Sequence, residues 1–182
     1  MPSFTEDLSS SNPEAYFAKI SALVGDRDRI EILTQTANVL ASIVREHPVH
    51  VFRTRPFADK WTPNEILGHL GDTEWVFGYR LRAILCEDEP EILWMDHELW
   101  VAGQRHNERE PSELVEVFRQ LRAPNASLWQ RVKPDQLQRC GHHNERGKET
   151  LDNYLTSQAG HDLSHIDQLR RYLAAAIELS TG

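Results

Sequence analysis

The sequence predicts an all-α fold, a four-helix bundle whose helices are joined by long loops. Apolar residues recur at three- and four-residue spacing in four long stretches, which is the pattern of amphipathic helices. No alternation of period two persists for more than a few residues, so no strand is expected. The chain has 182 residues, 40% of them hydrophobic, which is enough for one core. We therefore expect a single domain over residues 1–182, with residues 1–12 as an N-terminal tail.

The first helix is expected to run from Pro13 to Arg45, with a break near Gly25. Asn12 is a favourable N-cap, and the proline that follows it suits the first helical position. The second half of this stretch carries an apolar seam with three- and four-residue spacing, formed by Ile30, Leu33, Ala37, Leu40 and Val44. This seam predicts one side of the bundle core.

The second helix has the clearest start signal in the chain. Thr62 and Glu65 have the spacing of a capping box, and Pro63 occupies the first helical position. The apolar face that follows is formed by Ile66, Leu70, Thr73, Phe77, Leu81 and Ile84. At about 100° per residue, His69 lies about 60° from the centre of this face. His69 is therefore expected at the edge of the core.

The third helix is expected over residues 111–131, kinked or split at Pro124, and the fourth over residues 150–179. The connections between them, residues 86–110 and 133–149, are expected to be irregular. Long connections in a helical domain are often functional. Three residues of the first connection are candidates for a pocket wall or for packing on the core: Trp94, His97 and Trp100.

Composition and charge argue against several classes of function. The formal net charge is −8 and the Lys and Arg residues are scattered, so no nucleic-acid-binding surface is expected. The N-terminus is polar, unlike a secretory signal, and no apolar run approaches the ~20 residues that span a bilayer. Cys86 and Cys140 fit no known spacing, which favours a reducing compartment and leaves one disulfide open. We expect a cytoplasmic protein that binds neither nucleic acid nor membrane.

Three histidines form the candidate site. His161 and His165 are four residues apart in the fourth helix, so their side chains share one face and suit a single divalent ion. Such a pair also arises by chance, and a histidine such as His69 beside an apolar face is more often a hydrogen-bonded residue at the edge of the core. On the residues alone both interpretations stay open, and a third donor is needed to decide between them.

Four other polar residues receive separate predictions. Asp162 projects toward the apolar face, so a buried partner is expected for it. Asp72 points away from the apolar face of its helix and is expected to be solvated. His142 and His143 are interpreted as part of a polar turn, with a second binding role as the alternative.

Two segments resemble a known family. WTPNEILGHLGDTE resembles the second helix of the DinB/YfiT-like family, which opens with a tryptophan, a helix cap and a glutamate before a metal-binding histidine. GKETLDNYLTSQAGHDLSHIDQLRRY resembles that family's last helix and its HxxxH pair. The resemblance spans about residues 20–176. It implies a four-helix bundle of up-down-down-up type, often a homodimer.

The resemblance also implies a metal site, with His69, His161 and His165 as the three ligands. The implied ion is divalent, commonly zinc or nickel, and three neutral imidazoles leave at least one coordination position open for water or substrate.

The resemblance favours one reaction and leaves two alternatives. Relatives in the wider superfamily transfer low-molecular-weight thiols such as bacillithiol, so we expect transfer of such a thiol to an electrophile, with a small molecule as the partner. The alternatives are a metal-dependent hydrolase and a non-catalytic metal-binding protein of the stress response. No catalytic residue is assigned, and no general base is evident beyond the hypothesis that the loop brings His97 or Glu98 to the site.

Overall fold

The computed structural model describes residues 13–181, so the proposed N-cap Asn12 lies outside the described residues. The helices are α1 (Pro13–Val24), α2 (Arg29–Glu46), α3 (Val49–Arg53), α4 (Pro63–Cys86), α5 (His97–Gln104), α6 (Pro111–Trp129) and α7 (Leu151–Thr181). The strands are β1 (Glu91–Ile92), β2 (Cys140–His143) and β3 (Gly147–Thr150). Within residues 13–181, none of the helices has the length and apolarity of a membrane span.

Helices α2, α4, α6 and α7 form the predicted four-helix bundle, which is confirmed. Helix α2 packs on α6 and α7, and α4 packs on the same two helices, so α2 and α4 lie diagonally across the bundle. Helix α1 packs on α7 outside this square of four. The two diagonal helices, α2 and α4, are therefore both in position to share a core with α7.

The directions of the helices follow from their contacts. Helices α4 and α6 are parallel, because their contacts advance together, from Gly71 with Val117 to Gly78 with Asn125. Helices α4 and α7 are antiparallel, because their contacts run in opposite directions, from His69 with His165 to Arg80 with Tyr154. Helices α2 and α7 are parallel, with contacts from Arg29 with Asp152 to Thr36 with Asp162. The bundle therefore has the up-down-down-up arrangement.

Buried polar side chains divide the core into two apolar clusters. One cluster contains Leu40, Leu70, Phe118 and Leu169, and the other contains Leu33, Leu81, Trp129 and Leu155. The polar layer near their boundary contains Thr36, Glu74, Arg122, Asn125, Gln158 and Asp162, with His69, His161 and His165 beside them. Because buried polar groups are stable only when they are paired, this layer is where a site is expected.

The local signals in the sequence have physical counterparts. The capping box of α4 is confirmed: Thr62 Oγ1 accepts from the Glu65 amide at 3.1 Å, and the Thr62 amide donates to Glu65 Oε2 at 2.7 Å. The predicted break in the first helix is also confirmed, because Gly25 has φ +56°, a left-handed conformation that favours glycine. Helix α6 continues past Pro124, so the helix is not split there.

The prediction that no strands form, and that both connections are irregular, is wrong. Strand β2 pairs with β1 in parallel and with β3 antiparallel. Strands of two to four residues are too short for an alternation of period two to be recognised. The first connection also contains α5, whose start is capped by Asp96 Oδ1, which accepts from the Leu99 amide at 3.0 Å. A helix of eight residues is likewise too short for a clear apolar period.

Candidate metal centre

Three histidines from two helices meet inside the bundle. His69 of α4 and His161 and His165 of α7 are all buried. One nitrogen from each ring lies within 4.8 Å of the others, and the Nε2 atoms of His69 and His161 are 3.1 Å apart. The antiparallel register of α4 and α7 places the three rings at one level. The structure thus brings together the three residues that the sequence singles out.

All three rings are neutral at neutral pH. Burial lowers the pKa of His69 and of His161 well below the usual value, and the charge of His165 would lower both further. Burial also lowers the pKa of His165 to about 4, against opposing effects of Gln168 and Asp162. The neutral imidazole is the form that binds a metal ion, because one ring nitrogen keeps its lone pair.

The positions of the nitrogens fit one divalent ion. Two imidazole nitrogens bound to one ion at about 2.0–2.1 Å stand about 3.3 Å apart at the tetrahedral angle. The observed separation between His69 and His161 is 3.1 Å. Gln168 Oε1 lies 2.7 Å from His165 Nδ1, so this nitrogen carries the proton and Nε2 keeps its lone pair. The donor set and its neighbours therefore suit a metal ligand role.

The histidine cluster has three members and no fourth protein ligand. Among residues 13–181, no other His, Cys, Asp or Glu joins the group. Both cysteines are free thiols: Cys86 is exposed, and buried Cys140 donates to Glu89 Oε1 at 3.3 Å. Three protein ligands are typical of catalytic zinc sites, whereas structural sites are closed by a fourth.

A pocket of about 360 Å³ opens onto the three histidines. Trp61, Trp94, His97 and Glu98 all line it. The ring centroid of His97 is 5.8 Å from that of His69, and Trp61 Nε1 donates to Glu98 Oε2 at 3.0 Å. The connection before α6 therefore does wall a pocket, through Trp94 and α5, and this volume suits a small molecule. We call it the histidine pocket.

Arg122 of α6 connects all four bundle helices at the level of the histidines. Its guanidinium donates to Glu74 of α4 at 2.8 Å and to Asp162 of α7 at 2.6 Å. It also donates to the Leu33 carbonyl of α2 at 2.8 Å. Asp162 follows His161 directly, so this network holds the turn of α7 that carries two of the histidines. The predicted buried partner of Asp162 is thus confirmed, and it is an arginine.

The prediction that Asp72 is solvated is wrong. Its carboxylate is buried, with Oδ2 2.8 Å from His106 Nε2 and Oδ1 accepting from Gln104 Nε2 at 2.7 Å. Residues 97–108 fold back over this face of α4, which is why a side chain pointing away from the bundle core is covered. Periodicity within one helix does not report such coverage by a connection.

His142 and His143 lie on strand β2, not in a turn. His142 is about half exposed and its Nε2 is 2.8 Å from Glu89 Oε2. His143 is 2% exposed and lies near Arg80. Burial and the charges of Arg146 and Arg80 lower the pKa of His143 to about 4, so the ring is neutral at pH 7. The two neighbours therefore have unlike environments, as adjacent residues of a strand do.

Two buried arginines were missed at the level of the sequence, although each left a signal. Arg122 is four residues after Phe118, on the apolar face of its helix, and a charge at such a position indicates a buried ion pair. Arg80 is eleven residues after His69, close to three full turns, so both side chains share one face of α4. The spacing of Arg80 and His69 indicates a shared pocket wall.

Comparisons with known proteins identify the family and a similar fold. The model of the DinB superfamily matches residues 32–169. Among solved structures, YfiT from Bacillus subtilis, described as a probable metal-dependent hydrolase with an unusual four-helix bundle topology, is similar with a TM-score of 0.71. The match covers 96% of this chain and 93% of that chain at 20% identity, a likeness of fold. No curated protein sequence matches significantly. Since the family model covers most of its length, the chain belongs to the DinB superfamily.

Proposed function

We propose that the chain is a metal-dependent hydrolase of a small molecule, in which His69, His161 and His165 hold one divalent ion, zinc or nickel. The observation that carries the proposal is the open cluster of three neutral histidines facing a pocket. When bound, such an ion would lower the pKa of a coordinated water and polarise the substrate. The description of YfiT as a probable metal-dependent hydrolase supports the same class of reaction.

His97 is the general base in this proposal. It is half-buried, lines the histidine pocket and lies 5.8 Å from His69, measured between ring centroids. A histidine within reach of the nucleophile accepts its proton and returns it to the leaving group. Glu98 lines the same wall and accepts a hydrogen bond from Trp61 Nε1 at 3.0 Å.

Metal content tests the ligand assignment. We expect the purified protein to carry close to one divalent ion per chain by plasma mass spectrometry, and His69→Ala, His161→Ala and His165→Ala each to lose most of it. His142→Ala is the matched control, because His142 lies on β2, is exposed and does not line the pocket. Stoichiometric metal in the triad variants would rule out the assignment.

Hydrolysis tests the reaction and the base separately. Wild-type protein is assayed with a panel of ester, amide and phosphoester substrates, with and without a chelator. His97→Gln is expected to keep its metal and to lose about 10²–10⁴-fold in kcat, the usual contribution of a general base. Unchanged kcat in this variant would remove His97 from the mechanism. Metal-independent hydrolysis would contradict the proposal as a whole.

Transfer of a low-molecular-weight thiol is the second candidate function. The observation that favours it is Arg80, which lines the pocket without a carboxylate partner, whereas Arg146 and Arg171 in the same lining are paired with Glu149 and Asp167. Cellular low-molecular-weight thiols carry carboxylates, and their thiols become nucleophilic as thiolates. Metal-dependent conjugation of such a thiol to monochlorobimane, together with inactivity toward the hydrolase panel, would establish this reaction instead. Stoichiometric metal with neither activity would indicate the non-catalytic role.

A further inference from the structure

Arg80 is a buried cation without a carboxylate partner. It is 7% exposed and lines the histidine pocket. Its Nη2 donates to the Leu93 carbonyl at 2.8 Å, while its Nε is buried and has no hydrogen-bond partner. Among the described residues, no carboxylate oxygen lies within 4 Å of the Arg80 guanidinium. Because a buried charge without a partner is costly, such a group is expected to bind an anion.

The neighbours of Arg80 do not neutralise it. The backbone amides of Glu145 and Arg146 lie 3.2 and 3.3 Å from His143 Nδ1 and donate to it. The neutral ring of His143 therefore carries its proton on Nε2, and this nitrogen, 3.4 Å from Arg80 Nη2, cannot accept from the guanidinium. His143 Nε2 and Arg80 Nη2 are therefore both hydrogen-bond donors, and His143 does not compensate the charge of Arg80.

Glu149, the carboxylate whose charge acts on Arg80, is already paired with another arginine. Glu149 accepts two hydrogen bonds from Arg146, at 2.9 and 2.8 Å, in a bidentate ion pair. Arg146 and Glu149 both line the pocket with Arg80. Arg80 and Arg146 bring two positive charges to this part of the pocket and Glu149 brings one negative charge. One positive charge is left uncompensated, which matches the single charge of a carboxylate.

We propose that Arg80 binds a carboxylate of the substrate, at a position in the histidine pocket separate from the three histidines. Arg80 and His69 lie on the same face of α4, about 16 Å apart along the helix axis. Val76 and Phe77 of α4 lie between the two positions along the helix and line the pocket, with the ring of Phe77 6.0 Å from that of His161. The substrate is therefore an anion with an apolar middle, whose reacting group is distant from its carboxylate.

This inference rests on the proposed function only in that both use the same pocket, and its test does not need turnover. Hexanoate, uncharged hexanamide and hexyl phosphate are titrated into the full-length protein by calorimetry. Wild-type protein is expected to bind hexanoate at least about tenfold more tightly than hexanamide, the usual effect of a charge-assisted hydrogen bond. Equal affinities, or no binding of hexanoate, would overturn the proposal. Tighter binding of hexyl phosphate would overturn the choice of a carboxylate.

Variants locate the anion. Arg80→Gln is expected to weaken hexanoate binding about tenfold or more and to leave hexanamide binding unchanged. Arg82→Gln is the matched control, because Arg82 lies on the same helix, is exposed and does not line the pocket. Circular dichroism confirms folding, and Arg80→Lys, which keeps the charge, is expected to bind hexanoate more tightly than Arg80→Gln. Wild-type affinity for hexanoate in Arg80→Gln would overturn the assignment.

A background variant separates this inference from the metal proposal. In His165→Ala, which is expected to lack metal, the dependence of hexanoate binding on Arg80 is expected to persist. If that dependence disappears, hexanoate binds at the histidines, and the Arg80 proposal is wrong even though the metal site stands. If it persists while wild-type protein carries no metal, the metal proposal fails and the carboxylate site stands.

Discussion

Two buried arginines of this bundle have opposite surroundings. Arg122 is 3% exposed and forms ion pairs with Glu74 at 2.7 Å and Asp162 at 2.6 Å. Arg80 is 7% exposed and has a backbone carbonyl as its acceptor, with no carboxylate within ion-pair distance among residues 13–181. The two residues are on neighbouring helices, α6 and α4: Arg122 lies at the level of the histidines, and Arg80 lines the histidine pocket about 16 Å along α4 from His69.

The difference shows in how each charge is stabilised. Burial alone would lower the pKa of Arg122, but the charges of Asp162 and Glu74 outweigh burial and raise it. Burial lowers the pKa of Arg80, and the opposing effects of Tyr154 and Glu149 do not outweigh burial and the charge of Arg146. A balanced buried charge holds helices together, whereas an unbalanced one facing a pocket indicates a binding site. Arg122 is therefore structural, and Arg80 is available to a ligand.

The largest expected effect on stability is at Arg122, whose charge is balanced by two carboxylates. Arg122→Met removes the cation that two buried carboxylates share, so about 3–5 kcal/mol of unfolding free energy should be lost, the usual result of breaking a buried ion pair. Urea unfolding monitored by circular dichroism measures the change. The triple variant that also carries Glu74→Gln and Asp162→Asn should recover much of the loss, because no buried charge is then left without a partner. No recovery would mean that packing of the arginine side chain dominates.

The positions of these two arginines also separate what the sequence could predict from what it could not. Periodicity along one helix predicts which face is buried, and this was enough for the apolar faces of α2 and α4; the grouping of the three histidines came from the resemblance to a known family. Periodicity does not report which side chain of a neighbouring helix lies opposite. The pairing of Arg122 with Asp162, and the absence of a carboxylate near Arg80, depend on the register between helices.

Two other features depended on contacts that no local pattern encodes. Asp72 is on the outer face of α4 and is buried because residues 97–108 cover it and pair it with His106. His143 is buried because a strand of four residues pairs with two others, and such a strand carries too little alternation to be recognised. The candidate ligands lie on two long helices whose motifs resemble a known family, whereas part of the pocket around them is formed by the connections, through residues such as Trp61, Trp94 and Glu98.

Acid should lower the free energy of unfolding, because protonated His143 adds a third positive charge beside Arg80 and Arg146. The pKa of this ring is about 4 in the folded protein, below the usual value of about 6.5, so the unfolded chain binds more protons between these pH values. The free energy of unfolding therefore falls as the pH is lowered, and His143 contributes about 3 kcal/mol of the loss by pH 4. His143→Asn keeps a side-chain acceptor for the two backbone amides and removes the titration. Its stability should fall less steeply than that of wild type from pH 6.5 to 4, and equal slopes would contradict this account.

Metal binding should depend on Arg122, whose charge is balanced by two carboxylates, and not on Arg80. An ion that binds the folded chain at one hundred times its Kd adds about 2.7 kcal/mol to the free energy of unfolding. We expect this gain with zinc or nickel in wild type and in Arg80→Met, and its loss in His165→Ala. Arg122→Met should bind the ion more weakly, because Asp162 then no longer holds the turn of α7 beside His161. Thermal unfolding at fixed metal concentrations compares the four proteins.

The smallest expected effect is the intrinsic stability of Arg80→Met without any added anion. Methionine fills much of the same volume, and the substitution removes a buried charge that has one backbone acceptor, so the change in unfolding free energy should stay within about 1 kcal/mol of wild type, on the stabilising side. This is the opposite of Arg122→Met, although both changes remove a buried guanidinium. Urea unfolding in a buffer of uncharged amines and chloride measures it. A loss of about 3 kcal/mol or more would mean that the folded chain itself supplies the missing acceptor, and the contrast between the two arginines would then disappear.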